Sequence, residues 1–160
     1  MGEKKVLGRK RHILVDTCGN LLHVVVHAAN ISEQAGCFDV IDGASEKYPT
    51  LQHIWVDGGY SGIAADVQRL YDIELEVVKK LPNQHTFVVL PRRWVVERTF
   101  AWLGRYRTLS KEYTGDTRYS ETHIYIASWD RMLRRLKPDI NVGAPYTDRK
   151  YDRKGAALII

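Results

Sequence analysis

Cysteine is scarce in this chain: Cys18 and Cys37 are the only two in 160 residues. They stand far apart with no C-x-x-C pattern, which argues against a disulfide framework or a zinc ribbon and makes a reducing compartment the expectation. Long apolar runs are missing as well. None approaches the roughly 20 residues that cross a bilayer, and the basic opening MGEKKVLGRKRH leads into Ile-Leu-Val alone, too short for a signal-peptide core. A cytoplasmic location with no membrane partner is therefore expected. The P-loop, the dinucleotide fingerprint and the nucleophile elbow are all absent from the sequence. Acidic charge is outnumbered, with 19 Asp and Glu against 24 Lys and Arg and a net charge of +5, which favours a polyanionic partner over an acidic surface or a neutral small molecule.

What is present reads as alternating strands and helices. RHILVD alternates, and after TCGN the run LLHVVVHAA alternates again. His23, Val25 and His27 fall on one face and Leu22, Val24 and Val26 on the other. That pattern predicts a β-hairpin turning at Gly19-Asn20. Asn30 followed by Glu33 marks a helix start ahead of Ala35, Phe38 and Ile41, and Pro49 closes that region. LQHIWV is a short strand, DGGYSG a turn, IAADVQRLY a helix, and IELEVV a strand with Ile73, Leu75 and Val77 on one face. A strand, helix, strand unit implies a parallel crossover. WVVERTFAWLGRYRTL predicts one long helix despite Gly104. SETHIYIASWDRMLRRLK predicts another, capped by Ser120, whose stripe of Tyr125, Trp129, Met132, Leu133 and Leu136 should dock on the core. The fold class expected is α/β, a mixed sheet flanked by helices.

In such a sheet the carboxyl end of a strand opens onto a crevice, and Asp57 stands there, followed by Gly58 and Gly59. The plainer alternative is an Asx-turn or helix cap. Glu97 lies among apolar residues on the next helix, sharing a face with Arg93, Ala101 and Gly104; the alternative is an Arg93–Glu97 surface pair. Arg92, Arg93, Arg98, Arg105, Arg107 and Lys111 surround Glu97, interleaved with Trp94, Trp102 and Tyr106. They suit polyphosphate binding or a solvated basic face over core tryptophans. The basic cluster Lys4, Lys5, Arg9, Lys10 and Arg11 reads equally as a phosphate-tracking or a solvated arm. His23 and His27 lack a third ligand placed by spacing.

Five blocks carry a resemblance: GRKRHILVDTCGNLL, HAANISE, VDGGYSG, FVVLPRRWVVERTFAWLGRYRTLSK and YIASWDRMLRRL. Together, over roughly residues 4 to 137, they resemble the catalytic domain of bacterial insertion-sequence DDE transposases of the IS4-like superfamily, in the group whose last acid lies in a W-V-V-E-R-T-F-A-W-L block. The resemblance implies an RNase H-like fold, metal-dependent cleavage and transfer of DNA strands at transposon ends, and two Mg²⁺ ions held by two Asp and one Glu. Asp57 matches the second Asp and Glu97 the Glu. Arg93 matches the arginine of the signature, whereas Leu90 stands where a tyrosine is usual and Gly104 where related groups place a lysine. Arg105 or Lys111 would supply that charge, and Arg93, Arg98, Arg105 and Lys111 are the expected DNA-binding residues.

The family's first Asp lies on a strand upstream of the block matching GRKRHILVD. Asp16, at the hairpin turn, and Glu3 do not replace it. The resemblance therefore implies a partial catalytic domain over residues 1–137, without its first strand and with an incomplete two-ion site, followed by a flexible tail over 138–160. Two functions are expected from it. One is a DNA transposase fragment, inactive by itself; the other is an inactive DNA-binding or dimerising remnant that pairs with itself or with a full-length transposase.

Overall fold

The alternating runs pair as an antiparallel hairpin of β1 (Arg9–Asp16) and β2 (Leu21–Ala28) in the computed structural model, which describes residues 8–78 and 94–136 and the backbone of 156–159. The turn is locked by Asp16, whose carboxylate accepts from the Cys18 and Asn20 N–H groups and from Asn20 Nδ2 at 2.8–2.9 Å. Gly19 sits at φ +79°, a left-handed conformation that glycine adopts without a Cβ penalty. The pairing slips between Leu14 and Val15, so Leu22 falls in a bulge. The bulge reverses its side chain: Leu22 packs with Val25 rather than with Val24 and Val26 as the simple alternation predicts.

Helix α1 (Glu33–Lys47) begins at Ser32, whose Oγ accepts from the Ala35 N–H, and not at Asn30. A serine one residue from Glu33 displaces the expected cap because its hydroxyl reaches that N–H directly. β3 (His53–Val56), a 3₁₀ turn (Gly58–Ile63), α2 (Ala64–Tyr71) and β4 (Glu74–Val77) form the expected crossover, with β3 and β4 parallel. The long helix expected next stops early: α3 is Trp94–Leu103, and the chain turns at Gly104 and Arg105 before a short 3₁₀ turn at Arg107–Leu109. Gly104 ends it as a residue costly inside a helix. α4 runs Thr117–Leu136, so Ser120 lies inside the helix and not at its cap.

The strand β5 (Ala156–Ile159) stands in the middle of the sheet, whose order is β2-β1-β5-β3-β4. It is antiparallel to β1 and parallel to β3. A flexible tail does not describe these four residues. Their neighbours on both sides offer unpaired backbone groups, and that opportunity is invisible in a segment without periodicity. Residues 137–155 lie outside the described residues.

The two sheet faces carry separate cores. Leu14, Ile54, Val56 and Leu75 pack with α1 and α2 residues such as Val40, Ile41 and Val67; Ile13, Val15, Val24, Val26 and Trp55 pack with Val95, Val96, Leu103, Ile124 and Ala127. Gly36 and Gly43 on α1 make room for rings from the hairpin. A Cβ on Gly36 would collide with Nε2 of His27 and of His12, and one on Gly43 with Nε2 of His23. α4 docks by Ser120, Ile124, Ala127 and Ser128, while Glu121 accepts from the Val26 N–H at 2.8 Å on edge strand β2. The stripe expected in the core is largely outside it: Trp129, Leu133 and Leu136 are exposed. Small residues allow close approach to the sheet, and that requirement outweighed hydrophobicity in choosing the docking face.

Two titrating groups hold this packing. Glu112 receives the Ser120 hydroxyl at 2.5 Å and the Thr114 hydroxyl at 2.6 Å, and it bridges Arg9 and Arg11 at the start of β1. Burial alone would raise its pKa, but the hydroxyls, the Thr114 N–H and Arg11 outweigh it and bring it from 4.5 down to about 2. His12 is buried, and burial, then His27 and Lys10, push it from 6.5 down to about 4. The unfolded chain takes up the His12 proton first, so stability falls as pH drops from 6.5 towards 4. Glu112 contributes fully above 4.5 and loses its contribution as pH falls towards 2. Glu112→Gln should cost about 1–3 kcal/mol at neutral pH, and urea titrations should show the difference from wild type closing in the acid window. A pH-independent difference would contradict this.

A chain ending at Gly155 tests the central strand. Without β5, no strand among the described residues joins the β1–β2 hairpin to the β3–β4 pair. Thermal unfolding should move well below that of the full chain and lose cooperativity. An unchanged midpoint would show that β5 bears no load.

Candidate functional site

Along β3, Ile54 and Val56 enter the core beneath α1 and α2, whereas Trp55 enters the one beneath α3 and α4. Strand alternation sends Asp57 to the Trp55 face. Its backbone is still extended at φ −83°, ψ 178°, and its Oδ1 accepts from the Gly59 N–H at 2.9 Å, which caps the 3₁₀ turn. The Asx-turn reading thus describes one of its carboxylate oxygens. Behind the turn Tyr60 is buried, with its hydroxyl 3.4 Å from His12 Nδ1, tying the loop after β3 to β1. Burial, then Cys37, Glu33 and Asp57, raise the Tyr60 pKa, so this hydroxyl stays protonated.

A second acid stands beside this loop. A Cβ built on Gly59 would lie 2.9 Å from Glu33 Oε2 and 3.2 Å from Asp57 Oδ1, so two carboxylates flank one glycine. Sequence reasoning used Glu33 only to mark a helix start. Twenty-four residues separate it from Asp57, and the meeting depends on α1 packing against the 3₁₀ turn, for which no local signal exists.

Glu97 lies on the exposed side of α3. Its neighbour Arg98 is sandwiched between aromatic rings, with its guanidinium 4.0 Å from the Trp94 centroid and 4.5 Å from the Trp102 centroid, and donates to Cys18 O at 3.2 Å. Arg131 also stacks on Trp102 at 4.1 Å and donates to Gly19 O; Arg135 donates to Cys18 O. Arg131, half-buried and beside Arg135 and Arg98, is pushed down to about 10 and remains charged at neutral pH. These guanidiniums clasp the β1–β2 turn. Because Asp16 pairs with Ala157 and Ala157 with Ile54, that turn lies at the amino end of β3, away from Asp57. Both tryptophans are half-buried: Trp94 packs against the core beneath α3 and α4 as expected, whereas Trp102 serves this clasp.

Arg105 and Lys111 are exposed beyond α3, while Arg93 lies outside the described residues. Asp16 has both carboxylate oxygens engaged in the hairpin turn. Among the described residues no group of three or more His, Cys, Asp or Glu is arranged to hold a metal ion, and no helix is long and apolar enough to cross a membrane. Asp57 and Glu33 supply an all-oxygen, solvent-reachable donor pair, which is the ligand type that hard divalent cations take.

No solved structure matches the chain. It is 30% identical over 110 residues to a Burkholderia cepacia protein named as a transposase for insertion sequence element IS402, an alignment covering 64% of this chain and 52% of that protein. The chain spans about half the length of that curated relative. The family described as the transposase DDE domain matches residues 2–127, a span that contains Asp57, Glu97 and all but the last turns of α4. With most of its length matched, the chain belongs to the DDE transposases of insertion sequences.

Proposed function

We propose that this chain is part of an insertion-sequence transposase that cleaves and joins DNA at transposon ends, with an RNase H-like catalytic fold and a cytoplasmic site of action. The observation that carries the reading is Asp57, an acid at the carboxyl end of a central parallel strand, inside a span that matches the transposase DDE domain. The antiparallel hairpin followed by a parallel crossover supports the fold assignment. Asp57 and Glu97 are the residues proposed to hold Mg²⁺, and Glu33 stands close enough to Asp57 to contribute a further oxygen. Divalent ions held there would supply Lewis-acid activation of an attacking water or 3′-hydroxyl and charge stabilisation at the departing 3′-oxygen. The protein's own share is position. The Tyr60–His12 contact and the Gly59 N–H hold Asp57 while Gly58, where a Cβ would meet nothing within 4 Å among the described residues, leaves room for a DNA backbone.

DNA partners would be held by phosphate contacts. Arg105 and Lys111 are the exposed candidates, joined by Arg93, whereas Arg98 serves the hairpin clasp. In salt titrations of DNA affinity, replacing Arg105 and Lys111 together by Ala should reduce the slope of log K against log salt by roughly 2. Arg98→Ala should instead lower the unfolding temperature. A slope untouched by the double substitution would remove these residues from the interface.

Catalysis is tested with this chain, with a version extended at its amino end by the family's Asp-bearing strand, and with that extension carrying Asp57→Asn or Glu97→Gln. Strand cleavage in Mg²⁺ or Mn²⁺ is expected from the extended form, falling at least about 100-fold in either substituted form while DNA affinity is retained. Cleavage indifferent to both substitutions would refute the site. DNA binding with no cleavage in any form would favour the non-catalytic remnant.

A further inference from the structure

β5 fills only part of the place it occupies. β1 is eight residues long, yet β5 pairs with Leu14, Val15 and Asp16 alone. Along residues 9–13, the flank of β1 turned away from β2 has no strand partner among the described residues. Successive residues of a strand direct their backbone groups to opposite flanks, so one of the neighbours His12 and Ile13, both buried, presents its N–H and C=O to that side. Buried backbone groups call for a partner. The register also fixes what a longer strand would meet there. Ile159 lies between Leu14 and Val56, and Leu158 between Val15 and Trp55. One step further along, a strand position falls between Ile13 and Asp57, on the face that Ile13 and Trp55 share. Side chains level with each other on neighbouring strands stand about 5 Å apart at Cβ, so a carboxylate at that position would lie beside Asp57. β5 reads Ala-Ala-Leu-Ile and carries none.

We propose that the gap between β1 and β3 is a strand-exchange site, in which β5 is a displaceable placeholder for a longer extended segment folding back from upstream of β1. A strand just upstream of β1 has one flank to pair with, because β2 holds the other. As a hairpin it runs antiparallel to β1 and therefore parallel to β3, which is the direction of β5. The two segments cannot share the sheet. Main-chain pairing supplies the affinity in such strand addition, and the side chains supply the selection. The occupant that fits is apolar where it lies over the two cores and acidic where it comes level with Asp57. It outcompetes β5 on two counts. It can pair along the whole of β1, and it closes a short loop, whereas β5 closes a longer one through residues 137–155. While β5 is seated, the sheet is closed but the position beside Asp57 is withheld from the incoming acid, so β5 acts as an autoinhibitory strand. That role of the acid rests on the proposed function; the exchange of strands does not.

Exchange is read without a cleavage assay, by comparing the full chain with the amino-terminally extended form described above, each with and without Ala157→Pro. Ala157 pairs with Asp16 on one side and Ile54 on the other, and proline there removes a backbone donor from the middle of β5. In the unextended chain the substitution should lower the unfolding midpoint by several degrees, and the amides of residues 157–159 should be protected from hydrogen exchange. In the extended form those amides should exchange at least about tenfold faster, and Ala157→Pro should cost nothing measurable. Displacement of β5 without DNA cleavage would support the exchange and count against the proposed function alone. Equal protection of β5 in both forms, or a proline equally costly in both, would overturn the proposal.

Discussion

The sheet depends on a closure made at the far end of the chain. β1–β2 and β3–β4 are each local units, and each offers an unpaired strand edge to the other; β5 fills the gap by pairing antiparallel with β1 and parallel with β3. Leaving those edges open would cost backbone hydrogen bonds and expose two adhesive strands. The helical layers follow from this closure. α1 and α2 cover one continuous face and α3 and α4 the other. Continuity across β5 is what lets Trp55 of β3 share a core with Val15 of β1.

Charge is divided between structure and surface. A basic, aromatic segment invites assignment to nucleic acid as a whole, yet Arg98 and Arg131 are stacked on tryptophans and donate to the hairpin turn. Planar guanidiniums suit this role because they stack and hydrogen-bond together, which lysine cannot do. Arg105 and Lys111, past the break at Gly104, keep their exposure. Glu112 likewise serves the fold, joining Arg9 and Arg11 to the loop that precedes α4.

Much of the architecture was legible where structure is local. The hairpin followed from alternation and Gly19, and the parallel crossover from the strand, glycine turn, helix and strand around Asp57. Family membership was legible in long blocks of sequence. What stayed hidden is tertiary. Ala156–Ile159 carries no alternation to read, and its place between β1 and β3 is set by long-range pairing. Glu33 meets the Asp57 loop only through packing. On α4 the hydrophobic stripe named the wrong docking face, because a helix close to a sheet needs small residues there and its large residues face outward. Gly36 and Gly43 acquire meaning only once the histidines of the hairpin stand over them.

The proposed site requires that Asp57 anchor a divalent ion in concert with Glu97. Paramagnetic broadening of backbone amide signals by substoichiometric Mn²⁺ measures this directly. Signals of Gly58, Gly59 and Glu33 are expected to broaden together with those around Glu97 in α3, and Asp57→Asn is expected to abolish the effect at both places. Broadening confined to other acids, such as the exposed Glu74 and Glu76 beside His53, or broadening that survives Asp57→Asn, would contradict it.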